Sequence, residues 1–141
     1  MILLTLDTSE LSEHAVPTAV ELARRFGQPL HLLLVLDASL RPELVRHAGT
    51  ERSLAEHADS YLTAVADRIP PDLSVSFSHQ FALDAADAII DAANQLDAAL
   101  IVMATHGRTG WSRLLAGSVT EHVLRSSTVP VVAVPSAQHR A

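Results

Sequence analysis

Largely apolar runs alternate along the chain with segments whose apolar positions recur every three or four residues. Residues 2 to 7 (ILLTLD), 30 to 36 (LHLLLVL), 100 to 103 (LIVM) and 129 to 135 (VPVVAVP) are of the first kind. Such runs read as strands buried on both faces of a parallel sheet. Residues 73 to 79 (LSVSFSH) alternate instead, which predicts a strand nearer a sheet edge.

Between the strands the period changes. Val16, Ala19, Val20, Ala23 and Phe26 mark one helix face, opened by Thr8-Ser9-Glu10 as N-cap and first turn and closed by Gly27. Pro17 lies inside it and predicts either a bend or a looser first turn. Leu54, Ala58, Tyr61, Leu62, Val65 and Ile69 mark a second helix, ended by Pro70-Pro71. Ala86, Ile89, Ile90, Ala93 and Leu96 mark a third, and a fourth is predicted from about Val119 to Arg125. Residues 38 to 52, with Pro42, Gly49 and three arginines, show no period and read as a solvated crossover.

Strands alternating with helices imply right-handed crossovers. The expected fold is therefore one α/β domain over residues 1 to 141, an open five-stranded parallel sheet sandwiched by four helices and of flavodoxin size. Pro130 and Pro135 bracket the last strand, as suits a sheet edge. An apolar edge without charge invites pairing with another copy, so a homodimer through 129 to 134 is expected.

Candidate chemistry gathers after the fourth strand. Thr105 to Gly110 is turn sequence at a strand's carboxyl end, where open α/β sheets place their ligands. Gly117-Ser118-Val119-Thr120-Glu121 then opens the last helix. A helix N-terminus presents unpaired N–H groups and partial positive charge, and glycines let backbone approach an anion. Two such turns facing each other would cradle a phosphate.

Composition narrows the ligand and the compartment. The 141 residues are 48% hydrophobic, include no cysteine and carry a formal charge of −6. Disulfides, thiol catalysis and thiolate metal sites are excluded. The acidic balance argues against a nucleic-acid footprint. No apolar run of about 18 residues and no basic leader appear, so neither a membrane span nor a signal peptide is expected, and the cytoplasm is the expected compartment. All ten basic residues other than histidine are arginine, which removes the Walker-type lysine and leaves backbone amides, hydroxyls and arginine to hold any phosphate. The histidines show no close metal-ligand spacing, so no metal site is expected.

The segments ILLTLDTSELSEHA, LLLVLD, AADAIIDAANQLDAALIVMATHGRTG and LLAGSVTEHVLRSSTVPVVAV together resemble the universal stress protein family over nearly the whole chain. ATP-binding members show Gly, two residues, Gly, nine residues, Gly, then Ser or Thr. Gly107, Arg108 to Ala116 and Gly117-Ser118 fit, while Ala104 stands at the first glycine. Leu83 and Ala85 stand where relatives often carry Gly and Pro. The resemblance implies an adenine nucleotide alpha hydrolase-like fold and dimerisation through the last strand. It also implies ATP as ligand, with or without Mg²⁺. Asp7 would hold the adenosine part and Val35 would pack near adenine through its backbone; Gly107, Arg108, Gly117, Ser118 and Val119 would surround the phosphates. Thr5, Met103, Ala104, His106, Gly110 and Thr120 complete the candidate nucleotide contacts.

Each candidate also has a purely structural reading. Ser118 with Glu121 fits a capping box, Asp7 fits an N-cap for the first helix, and Arg108 fits a solvated loop charge. His106, Asp7 and Ser118 do not make a triad by possession of residue types alone. No catalytic residue is assigned, because fast phosphoryl transfer needs metal-held phosphates and a positioned base or arginine that this loop does not spell out. The expected function is a stress-response module that binds adenine nucleotide without rapid turnover and acts through a further protein partner. A nucleotide-free interaction protein of the same fold and a slow ATP hydrolase are the alternatives.

Overall fold

The computed structural model describes residues 1–105 and 118–135. Its strands are β1 (Ile2–Leu6), β2 (Leu30–Asp37), β3 (Val75–Ala82), β4 (Leu100–Thr105) and β5 (Val131–Pro135). All pair in parallel in the order β3-β2-β1-β4-β5. β1, predicted from its short apolar run, lies at the centre with every residue buried. Successive side chains of a strand point to opposite faces, and here they feed two cores. Ile2, Leu4 and Leu6 join Leu30, Leu32 and Leu34 beneath Ala19, Val20 and Ala23 of α2 (Val16–Phe26) and Leu62 and Val65 of α4 (Glu51–Asp67). Leu3, Leu33, Ile101 and Met103 join Ala86, Ile89 and Ala93 of α5 (Ala85–Gln95) and Val123 of α6 (Ser118–Ser126).

Those four helices cover the sheet as expected; two shorter ones depart from the sequence reading. The single helix expected from Thr8-Ser9-Glu10 to Gly27 is broken into α1 (Glu10–Glu13) and α2. Pro17 is the cause: it sits in the first turn of α2, the one place where its missing N–H leaves no bond unmade. Gly27 does end α2, at φ 63 in the left-handed conformation that glycine adopts without strain. Residues 38 to 52, expected as an irregular crossover, contain a 3₁₀ turn (Ala38–Leu40) and α3 (Arg41–Ala48). No residue of α3 is buried, so no apolar stripe announced it.

β3 is an edge strand, as its alternation predicted, but runs to Ala82. β5 is the opposite edge and begins two residues later than the apolar run suggests, because Ser127 Oγ both accepts from the Val129 N–H (2.9 Å) and donates to the Val129 carbonyl (2.8 Å), holding that residue in a turn. Among the described residues no helix is long and apolar enough to cross a membrane.

Candidate functional site

Connections leave β1 in opposite directions: β2 and β3 are laid down on one side of it, β4 and β5 on the other. The gap at such a switch point, outside the strands' carboxyl ends, is where this class of sheet leaves room for a ligand. The register shows the gap opening. β1 and β4 pair as far as Leu4 and Val102, whereas β4 continues along β5 to Thr105 and Pro135. A cavity of about 360 Å³ fills the space, within the size range of small-molecule sites, roughly 300–1,000 Å³.

Its walls come from six elements. β1 contributes Thr5 and Leu6, followed by Asp7, and α1 with its cap contributes Ser9, Leu11 and Ser12. Val35 of β2, Ile89 of α5 and Met103 of β4, all nearly inaccessible to solvent, make an apolar floor. Ala85, Ala104 and the first turn of α6, Ser118-Val119-Thr120, complete the lining. The lining thus joins a flat apolar surface to hydroxyls, one carboxylate and the start of a helix. Asp7 is the one ionisable side chain among the described lining residues.

Asp7 is held by its own turn. Its Oδ1 accepts from the Ser9 N–H (2.9 Å) and from the Ser9 hydroxyl. Its own N–H donates to Ser12 Oγ (3.3 Å), which in turn donates to the Ser9 carbonyl (2.8 Å). Oδ2 makes no hydrogen bond among the described residues, so one oxygen is fixed and the other remains an acceptor. The turn requires Thr8 at φ 72, a left-handed conformation unusual for a β-branched residue. Asp7 is therefore not the N-cap; Ser9 is, accepting from the Ser12 N–H at 3.1 Å. The same device recurs after β2, where Asp37 Oδ1 accepts from the Ser39 hydroxyl (2.7 Å) and N–H (2.9 Å), and these bonds hold the Asp37 carboxyl below its ordinary value. Asp37 does not line the cavity.

The helix side is arranged differently. Ser118 is the first described residue of α6, and Glu121 pairs with Arg125 at 2.9 Å. Val119 is exposed toward the mouth, whereas Thr120 is buried and its hydroxyl donates to the Ala104 carbonyl at 3.3 Å.

Of the residues singled out in the sequence, Thr5, Asp7, Val35, Met103, Ala104, Ser118, Val119 and Thr120 all line this one cavity. His106, Gly107, Arg108, Gly110 and Gly117 lie outside the described residues. Sequence reasoning missed Ser9, Leu11 and Ser12, which a continuous first helix would have carried away from the strand end. Ile89 was assigned only to a core face, and it serves both. Of the two flagged positions, Ala85 lines the cavity while Leu83 stands 85% exposed outside it. For metal, Asp84, Asp87 and His122 bring ligand atoms within 4.8 Å of one another, a grouping from two helices that no sequence spacing reveals. Asp84 already caps α5 by accepting from the Asp87 N–H (3.0 Å), and His122 Nε2 lies 3.5 Å from Asp87.

Comparison with known proteins places this geometry. A family model described as the universal stress protein family matches residues 1–135. The chain is 30% identical to universal stress protein MJ0531 of Methanocaldococcus jannaschii, over 94% of this chain and 80% of that protein. Its fold is similar to that of a universal stress protein from Archaeoglobus fulgidus in complex with dAMP (TM-score 0.69, 21% identity, 94% and 95% of the two chains). It is also similar to a universal stress protein in complex with cAMP (TM-score 0.60, 23% identity, 96% of each chain).

Proposed function

The chain belongs to the universal stress protein family, and from that premise we propose that the cavity above β1 and β4 binds an adenine nucleotide, ATP in particular, in a regulatory role without rapid turnover. The observation that carries the reading is the composition of the cavity wall. An apolar floor of Val35, Ile89 and Met103 suits a purine face, the fixed carboxylate of Asp7 suits ribose hydroxyls, and the start of α6 suits a phosphate. Relatives of the same fold hold dAMP and cAMP, which share the base and differ in sugar and phosphate. Ser118 and Val119 would take the phosphates, helped by Gly107, Arg108 and Gly117, while Mg²⁺ would arrive on the nucleotide. Thr5, His106 and Gly110 complete the set. Slow turnover is part of the proposal, supported by a described lining that beside Asp7 offers hydroxyls and apolar groups.

Titration calorimetry with ATP, AMP and GTP tests the proposal. Saturable binding of both adenine nucleotides, weaker GTP binding, and loss of all three on Ala85→Phe, which fills the cavity, are expected. An Ala85→Phe variant that binds ATP as well as the parent would put the ligand elsewhere, and a parent that binds none would leave a nucleotide-free interaction protein. The edge strand β5, with Val131 to Val134 all partly exposed and uncharged, is proposed as the homodimer contact.

A further inference from the structure

We infer that Thr120 is a positioning residue, whose hydroxyl pins the first turn of α6 to the end of β4 and so sets where the helix start meets a phosphate. The inference rests on the nucleotide reading and goes beyond it. Past Val102, β4 has no pairing with β1, while its pairing with β5 continues to Thr105 and Pro135. The first turn of α6 lies against this strand end. Thr120 joins the two: it is 5% exposed, and its Oγ1 donates to the carbonyl of Ala104 at 3.3 Å. A hydroxyl has one proton, so in this arrangement Thr120 has no donor left for a ligand.

That changes the role expected from the sequence, where Thr120 stands among the direct contacts. A pin of this kind acts on the anion-binding end alone. The adenosine end is set by Asp7, Val35 and Ile89, none of which bonds to Thr120.

Thr120→Val keeps the shape and removes the hydroxyl; Thr120→Ser keeps the hydroxyl. Each full chain is titrated with adenosine, AMP and ATP. Thr120→Val is expected to weaken AMP and ATP roughly three- to tenfold, the net value of one hydrogen bond, while adenosine affinity stays within about twofold. Thr120→Ser should recover most of the loss. The inference is overturned if Thr120→Val binds ATP like the parent, if Thr120→Ser is as weak as Thr120→Val, or if adenosine weakens as much as ATP, which would make the hydroxyl a nucleoside contact. A parent that binds none of the three ligands overturns the nucleotide reading itself. Should Thr120→Val not fold, Thr120→Ser against Thr120→Ala isolates the same hydroxyl, with the same outcomes deciding.

Discussion

Replacing Asp7 separates its two tasks, because the two carboxylate oxygens do different things. Oδ1 holds the turn by accepting from the Ser9 N–H at 2.9 Å and from the Ser9 hydroxyl, while Oδ2 has no hydrogen-bond partner among the described residues. Asparagine can keep the carbonyl oxygen in the Oδ1 place, so Asp7→Asn should unfold in urea within about 0.5 kcal/mol of the parent. Alanine removes the acceptor and strands the Ser9 N–H near the start of α1. By analogy with lost caps this costs about 0.5–2 kcal/mol, at the lower end here because the site is exposed. Nucleotide binding should not follow these stabilities. A ribose hydroxyl donating to a carboxylate gains about 1.5–3 kcal/mol, so both variants should bind adenosine at least roughly tenfold more weakly than the parent. Calorimetric titration beside urea unfolding reads both quantities on the same samples. Asp7→Asn binding adenosine like the parent would refute the ribose role, and Asp7→Ala matching Asp7→Asn in stability would refute the role of the turn.

Three further outcomes follow from other parts of the molecule. Thr8→Gly relieves a β-branched residue at φ 72; a strain of about 1–2 kcal/mol, offset by glycine's extra unfolded-state freedom, predicts a net gain of about 0.5–1 kcal/mol in urea unfolding, and a less stable variant contradicts it. Glu13 accepts from Tyr61 Oη (2.6 Å) and from Arg68 (2.7 Å); burial raises its carboxyl, but these bonds and the arginine charge together hold it below its ordinary 4.5. The unfolded chain then takes up this proton first on acidification, so the stabilisation is present above pH 4.5 and lost as pH falls through the lower native value. Tyr61→Phe should cost about 1 kcal/mol near neutrality and flatten that acid dependence, and a variant with the parent's slope would refute it. Light scattering should give a dimer for the parent and a monomer for Ala133→Arg on β5; a monomeric parent would remove the proposed edge contact.

The parts of this fold that announced themselves did so by burial. β1, β2 and β4 are sealed between helices, and largely apolar runs such as Ile2 to Leu6 made them plain. The strand-end cavity followed from topology, which is why residues as far apart in sequence as Thr5, Val35, Met103 and Thr120 could be nominated together. What stayed hidden has equally physical causes. α3 has no buried residue and therefore no stripe. The break before α2 depended on where Pro17 fell in a turn, and with it went Ser9, Leu11 and Ser12 as cavity wall. Thr120 was read as a ligand contact because a hydroxyl's partner, here the carbonyl of Ala104, is a fact of distance that residue type does not carry.

The central claim is that an adenine nucleotide lies across the switch point, base on the apolar floor and phosphate at the start of α6. Titrating isotopically labelled protein with AMP and following methyl and amide resonances tests it most directly. The account predicts saturable shifts at Val35, Ile89, Met103 and Val119, with the far ends of the strands, Ile2 and Leu30, unmoved. Shifts centred on any other surface, or none at millimolar AMP, would contradict it.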